Sequence, residues 1–434
     1  MDASIWAYLA TNGADMAEHS AVSMARPRRA RSSRAFATDR QVLDAGFAVI
    51  LESGWDALSV LACARRAGLS SKAVNDRHAS VSHLGVAVWQ DSAGPALRDA
   101  LTSVMDSMLP LAGSVADIGT GNRAFTSLAR PGDALIVAGE LLAAAVFDGV
   151  LCGVIAADLQ AWLGAWCIPG EKVKSTRAAQ GVYTLVAALG LLFGFRRSGA
   201  GKVSLQLQVE NLALALANPA KPSKLPALEA HHMRLDPPGP IDDEHDALLA
   251  ATVLEVAAHG YAEATLVRIL AATNSTEGLL YSRYDSKIEL FVAATKWRTE
   301  YGFMTNLNWF KALSEKVGPG LADAVMWREY LRPEHALGRG LAIEQVRTGW
   351  REPLIQKVND EVEAGFAVTL RKANPHVTRA ALRSNLHWDI ALGYGAELAP
   401  SFFPDAWKLP FAVVSVPMLA GPTIEDLVLG YLGT

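Results

Sequence analysis

The chain repeats itself. Displacing the sequence by 206 residues lays Gly54 on Gly260, Ser59 on Thr265, Val60 on Leu266 and Leu84 on Leu290 without a gap. Just ahead, Leu43, Phe47, Ile50 and Leu51 fall on Leu249, Val253, Val256 and Ala257, which mark one apolar helical face in each copy. Any fold must therefore accommodate the same local structure twice, and the chain reads as an internal tandem.

In the second copy the first helix is expected to stop at Gly260. Thr265 then caps a short helix carrying Leu266, Ile269 and Leu270. Thr273 to Ser275 make a tight turn in which Asn274 tolerates left-handed backbone, and Thr276 caps a third helix holding Leu280, Tyr281 and Tyr284. Ser286 and Glu289 read as a capping box, so Lys287 opens the next helix. In the first copy Gly68 serves the turn and Ser70 the cap. Each copy is thus a helix-turn-helix, whose third helix and following turn can offer hydroxyls and an ammonium to phosphates.

The stretch GYAEATLVRILAATNSTEGLLYSRYDSKIEL resembles the amino-terminal DNA-binding domain of TetR-family transcriptional regulators, over about 50 residues in all. The resemblance implies an all-α fold in which each helix-turn-helix domain precedes a helical ligand-binding and dimerisation domain. It nominates Thr276, Tyr281, Ser282, Tyr284 and Lys287 for DNA contact. The first copy departs from the pattern, with Asn75, His78 and Val81 in place of Tyr281, Tyr284 and Lys287. Its candidates are Ser70, Ser71, Lys72, Asn75 and Arg77, lysine and asparagine being suited to guanine and adenine edges. Arg65 and Arg66 are available as substitute phosphate anchors.

A net charge of -4 over 434 residues gives no general attraction to nucleic acid, so a local basic surface is required. Arg26, Arg28, Arg29, Arg31 and Arg34, in RPRRARSSR, form a candidate arm for the minor groove or for phosphates, with a solvated charge run as the alternative. The second copy instead begins with Asp242, Asp243, Glu244 and Asp246, and carries Glu277 near its third helix, all repelling phosphate. Unlike half-sites are the expectation.

The implied organisation is a basic arm (1–35), a first helix-turn-helix domain (36–85), a first helical ligand-binding-like domain (86–217), a Pro-rich linker (218–240), a second helix-turn-helix domain (241–292) and a second helical domain (293–434). Two apolar stretches, 141–168 and 177–195, read as buried helices rather than membrane spans. Asp148 and Asp158 interrupt the first, and the run in the second falls short of the roughly 20 residues a span needs. Ala187, Ala188 and Gly190 permit close packing, where the resemblance implies a four-helix dimer interface.

Residues 114–140 resemble the first glycine loop of S-adenosylmethionine methyltransferases, with Gly119 and Gly121 facing the cofactor and Glu140 a ribose. Arg123 stands where a later glycine belongs and no alternating strands follow, so a loop between helices is the favoured identity. Cys63, Cys152 and Cys167 lack metal-ligand spacing and suit a reducing cytoplasm, and the first 24 residues do not read as a secretory signal. His231 and His232 read as solvated linker residues. Neither metal nor cofactor is expected.

Arg347, Trp350, His387 and Trp388 are the candidate pocket residues for an apolar effector in the Trp-rich second half. The resulting expectation is a DNA-binding, ligand-responsive repressor without enzymatic activity. Its partner is double-stranded DNA, and its assembly is a monomeric pseudo-dimer, with a homodimer as the alternative. A ligand-sensing or protein-interaction module that has lost DNA binding is the rival reading, and a methyltransferase the remote one.

Overall fold

The computed structural model describes residues 33–109, 115–164, 166, 176–196, 202–219, 241, 243–273 and 275–414. Arg26, Arg28, Arg29 and Arg31, most of the Pro-rich linker with His231 and His232, and Cys167 lie outside the described residues. Every regular element among the described residues is helical. The first head comprises α1 (Ser33–Ser53), α2 (Val60–Ala67) and α3 (Ser71–Asn75). It is followed by α4 (Val81–Val88), α5 (Gly94–Met108), α6 (Ile118–Ala129), α7 (Asp133–Ala145), α8 (Gly149–Gly164), α9 (Thr176–Phe193) and α10 (Gln206–Ala217). The second head comprises α11 (Glu244–Glu263), α12 (Leu266–Thr273) and α13 (Glu277–Arg283). Behind it run α14 (Lys287–Val317), α15 (Pro319–Tyr330), α16 (Ala336–Gly349), α17 (Pro353–Ala373) and α18 (Arg379–Phe402).

Local chemistry sets the boundaries of the heads. Gly54 and Gly260 take the same extended, positive-φ conformation (φ 83° and 80°), which a side chain disfavours. Ser59 then accepts from the Ala62 N–H, and Thr265 from the Arg268 N–H, starting α2 and α12. Gly68 ends α2 in the left-handed region, and Ser70 caps α3 as Thr276 caps α13. Lys287 does open α14, although Glu289 returns to the N–H of Asp285 while Ser286 accepts from Glu289. The differences are small. Helix α1 begins at Ser33, inside the span expected to be an arm; α3 is only five residues long, so Arg77 lies beyond it; and Tyr284 is the residue after α13.

Side-chain volume is redistributed between the copies. Trp55 and Gly85 touch in the first half, and a methyl group on Gly85 would overlap the Trp55 ring. Their counterparts Tyr261 and Phe291 pack ring to ring at 5.2 Å. One large and one absent side chain do the work of two medium ones, as a core filled to near-crystalline density requires.

The halves meet along α9 and α18. A methyl on Gly190 would strike the carbonyl oxygen of Ala391, and one on Gly395 that of Val186. Gly190 and Gly395 are separated by the same interval as Val186 and Ala391, so the two approaches are reciprocal, as in a two-fold interface. Helix Thr176–Arg196 is long and apolar enough to cross a membrane by length and composition, yet 89% of its apolar window is buried inside the protein.

Residues 115–140 form neither the favoured loop between helices nor a glycine loop. They fold largely into α6 and α7, where Gly121 is buried against Met108 and Ser107. Glu140 is fully buried within α7, so its carboxylate is not placed for a ribose.

Candidate nucleic-acid interface

In the first head Lys72 and Asn75 project from α3 into solvent, Lys72 being 84% exposed with Asp76 at 3.2 Å. Ser70 is spent on its cap and Ser71 begins the helix. Arg77 turns back, its Nε donating to Asp39 (2.6 Å) and its Nη1 to the Ala73 carbonyl (2.7 Å). Arg66 pairs with Glu52 at 2.6 Å, whereas Arg65 is exposed. The Arg34 backbone belongs to α1.

In the second head Thr276, Tyr281 and Ser282 are exposed, Ser282 donating to the Leu279 carbonyl (2.7 Å). Tyr284 stacks on His245, with its hydroxyl 2.6 Å from Nε2. Lys287 is not placed as a phosphate anchor. Its ammonium donates to the Tyr261 and Ala262 carbonyls and lies 4.3 Å from the Tyr261 ring centroid, closing the carboxyl end of α11. Burial holds its pKa below the ordinary lysine value, against the pull of Glu344, Asp56 and Glu263.

The heads differ in charge. Residues 36–85 hold five carboxylates and five cations, whereas 241–292 hold nine carboxylates and three cations. Asp243, His245 and Asp246 bring ligand-type atoms within 4.8 Å of one another. However, Asp243 caps α11 and His245 bonds Tyr284, so this is a helix start with its own structural duties.

Beneath the heads lies a junction that spacing arguments did not find. The backbone N–H following each hinge glycine is held by a fully buried glutamate of the helical body: Trp55 N–H by Glu140 (3.3 Å) and Tyr261 N–H by Glu344 (2.7 Å). Both carboxylates are met by arginines from the second half. Arg351 reaches Glu140 at 2.5 Å and packs on Gly54. Arg347 is bidentate to Glu344 (2.7 and 2.8 Å) and to Asp56 of the first head (2.9 and 3.0 Å). Burial opposes the charge of Arg347, but the surrounding carboxylates raise its pKa above the ordinary value. The available sequence signal was a glutamate at matching positions of α7 and α16, apolar around Glu140 but mixed with Arg339, Gln345 and Arg347 around Glu344.

The four residues nominated for an effector pocket serve other ends. Arg347 is this tie. Trp350 packs on Phe193 (4.9 Å), and its carbonyl accepts from Arg196. Trp388 meets Phe125 edge-on at 5.3 Å, and His387 is buried beside it in α18. None of them lines the cleft of about 290 Å³ that opens between α11, α16 and the end of α18. Burial pushes the Cys63 thiol up to about 11 and raises that of Cys152, which leaves neither suited to thiolate chemistry. No family model matches the chain, and no curated protein matches it.

Proposed function

We propose that the chain is a DNA-binding transcriptional regulator in which two TetR-like units are fused into one pseudo-dimer. The observation that carries this reading is the duplicated junction. Two heads, each with a short third helix capped by Ser70 or Thr276, are fixed by equivalent glutamates to bodies that pack reciprocally. A protein that reads two half-sites needs two such helices at a fixed separation, roughly 34–36 Å for successive major grooves. The first head contributes Lys72, Asn75, Arg65 and the arginines of the chain's amino-terminal segment. Fusion permits the second head to diverge. Its Thr276, Tyr281 and Ser282 offer neutral hydroxyls that can approach a half-site in spite of its acidic surroundings.

A second reading is favoured by the nine carboxylates and inward-facing Lys287 of the second head: only the first head reads DNA, and two chains pair to do so. Selection from random duplexes at near-physiological salt, with the mass of the complex measured by light scattering, separates the two. One chain on a site with two unlike halves supports the fused regulator. Two chains on a palindrome support single-head reading. No enriched duplex rejects both.

A further inference from the structure

The pseudo-symmetry of the junction exposes an inequality. Each body lays one residue across the hinge glycine of the opposite head, and these residues are equivalent in sequence position: Arg351 on Gly54, and Phe147 beside Gly260. At Gly54 the guanidinium fills the seam. At Gly260 the neighbours are Phe147 and Glu344, and on the other side of Phe147 a cleft of about 290 Å³ opens, lined by Phe147, Ala257, Ala258, Leu337, Arg339 and Ser401 among others. That is near the lower end of the range for small-molecule sites.

One feature of this cleft is charged. Arg339 is more than nine-tenths buried, and its Nη1 donates to the carbonyls of Tyr330 and Arg332 at 2.7 Å each. No carboxylate forms an ion pair with it among the described residues. Glu334 is taken by Arg332 (3.4 Å). Glu397 accepts from the Tyr330 hydroxyl (2.8 Å), and burial raises its pKa to about 8, leaving it largely protonated at neutral pH. Arg298, whose charge also interacts with Tyr330, is half-buried, and its buried Nε has no hydrogen-bond partner. Helix α16 points its amino end here without a side-chain cap, which adds partial positive charge. A buried guanidinium that Glu397 and Glu334 support only from beyond ion-pair distance, at the end of an apolar slot, is matched by an anion with an apolar body.

We propose that this cleft binds a small amphipathic carboxylate, its charged end on Arg339 and its apolar body between Phe147, Ala257, Ala258 and Leu337. The site rests on the regulator reading only for its consequence. The second head's core, completed by Phe291 and Ala294 of α14, Leu341 of α16 and Ile355 of α17, is separate from the main core into which the first head is merged. Ala257 and Ala258 lie on α11 of the second head, so a ligand pressing on them displaces that head against its body.

Calorimetric titration of the DNA-free full-length chain with octanoate, 1-octanol and inorganic phosphate tests the site without reference to DNA. Octanoate should bind one to one, with octanol and phosphate at least about tenfold weaker, a difference of about 1.4 kcal/mol. Arg339→Gln should remove the preference for octanoate over octanol. Ala258→Phe, which fills the slot and leaves the guanidinium in place, should abolish binding with helical content unchanged. Absence of octanoate heat, equal affinity for octanol, or full binding by a folded A258F variant overturns the site. Duplex titration with and without octanoate then tests the consequence: an altered affinity supports coupling through α11. An unaltered affinity rejects coupling and leaves the calorimetric result standing.

Discussion

At the scale of single residues, the most consequential side chain is Arg347. Glu344 has no exposure to solvent; its hydrogen-bonded partners are this guanidinium and the Tyr261 N–H, with the Lys287 ammonium acting on it from further off. Arg347→Met should therefore strand a buried carboxylate and cost about 3–5 kcal/mol in urea unfolding. Asp56, the other partner, is 42% exposed, so Asp56→Asn should cost less than about 1 kcal/mol. Equal losses from the two would mean that the tie does not depend on Glu344. Glu397 makes a prediction with the opposite pH sense from most acids. Its folded pKa is raised to about 8 from an ordinary 4.5, so the folded state binds the extra proton and stability falls as pH rises between those values. Glu397→Gln should flatten that fall by a few kcal/mol, at about 1.4 per pH unit, when denaturation midpoints are compared at either end of the window.

At the scale of helices, the two copies show that a packing position is defined by the volume its neighbours leave. Gly85→Ala improves intrinsic helix propensity by about 1 kcal/mol, yet its methyl would overlap Trp55, so the net effect should be destabilising by roughly 1–2 kcal/mol. Trp55→Leu should relieve that clash, and a double-mutant cycle should report a coupling above about 0.5 kcal/mol. Additive effects would mean that the contact is not the cause. The same contrast explains what was legible in the sequence. Caps and turns are local, so Ser59, Ser70, Thr276, Ser286 and the start of α14 could be read from spacing. The roles of Lys287, Arg77 and Arg347 depend on partners as distant in sequence as Tyr261, Asp39 and Asp56, and a local pattern carries no information about those. Residues 115–140 read in the sequence as a loop between helices because glycine suits loops as well as close helix contacts, and Gly121 serves the second.

At the scale of the molecule, the α9–α18 seam is where the two halves of the chain are held together. Helix α9 is apolar on nearly every side, and Ala187, Ala188 and Leu189 have no exposure, so it is covered on faces that a surface helix would leave wet. In a two-chain dimer such a seam makes stability depend on protein concentration. Within one chain its partner is supplied at a fixed effective concentration. On the fused reading, the denaturation midpoint should not change over a wide range of protein concentration, and light scattering should give the mass of one chain. Gly190→Leu places a branched side chain where the Ala391 carbonyl sits and should part the halves. Gly395→Leu, aimed at the Val186 carbonyl, should do the same. Arg347 and Arg351 reach the first head from the second half, so parting the seam should also loosen both ties to that head. Hydrogen exchange should then speed up at Trp55 N–H in either glycine variant, although both substitutions lie in the body helices. A variant that separates the halves while Trp55 stays protected would show that the first head is held by its own body alone, and the cross-ties would lose their proposed part in fixing the heads.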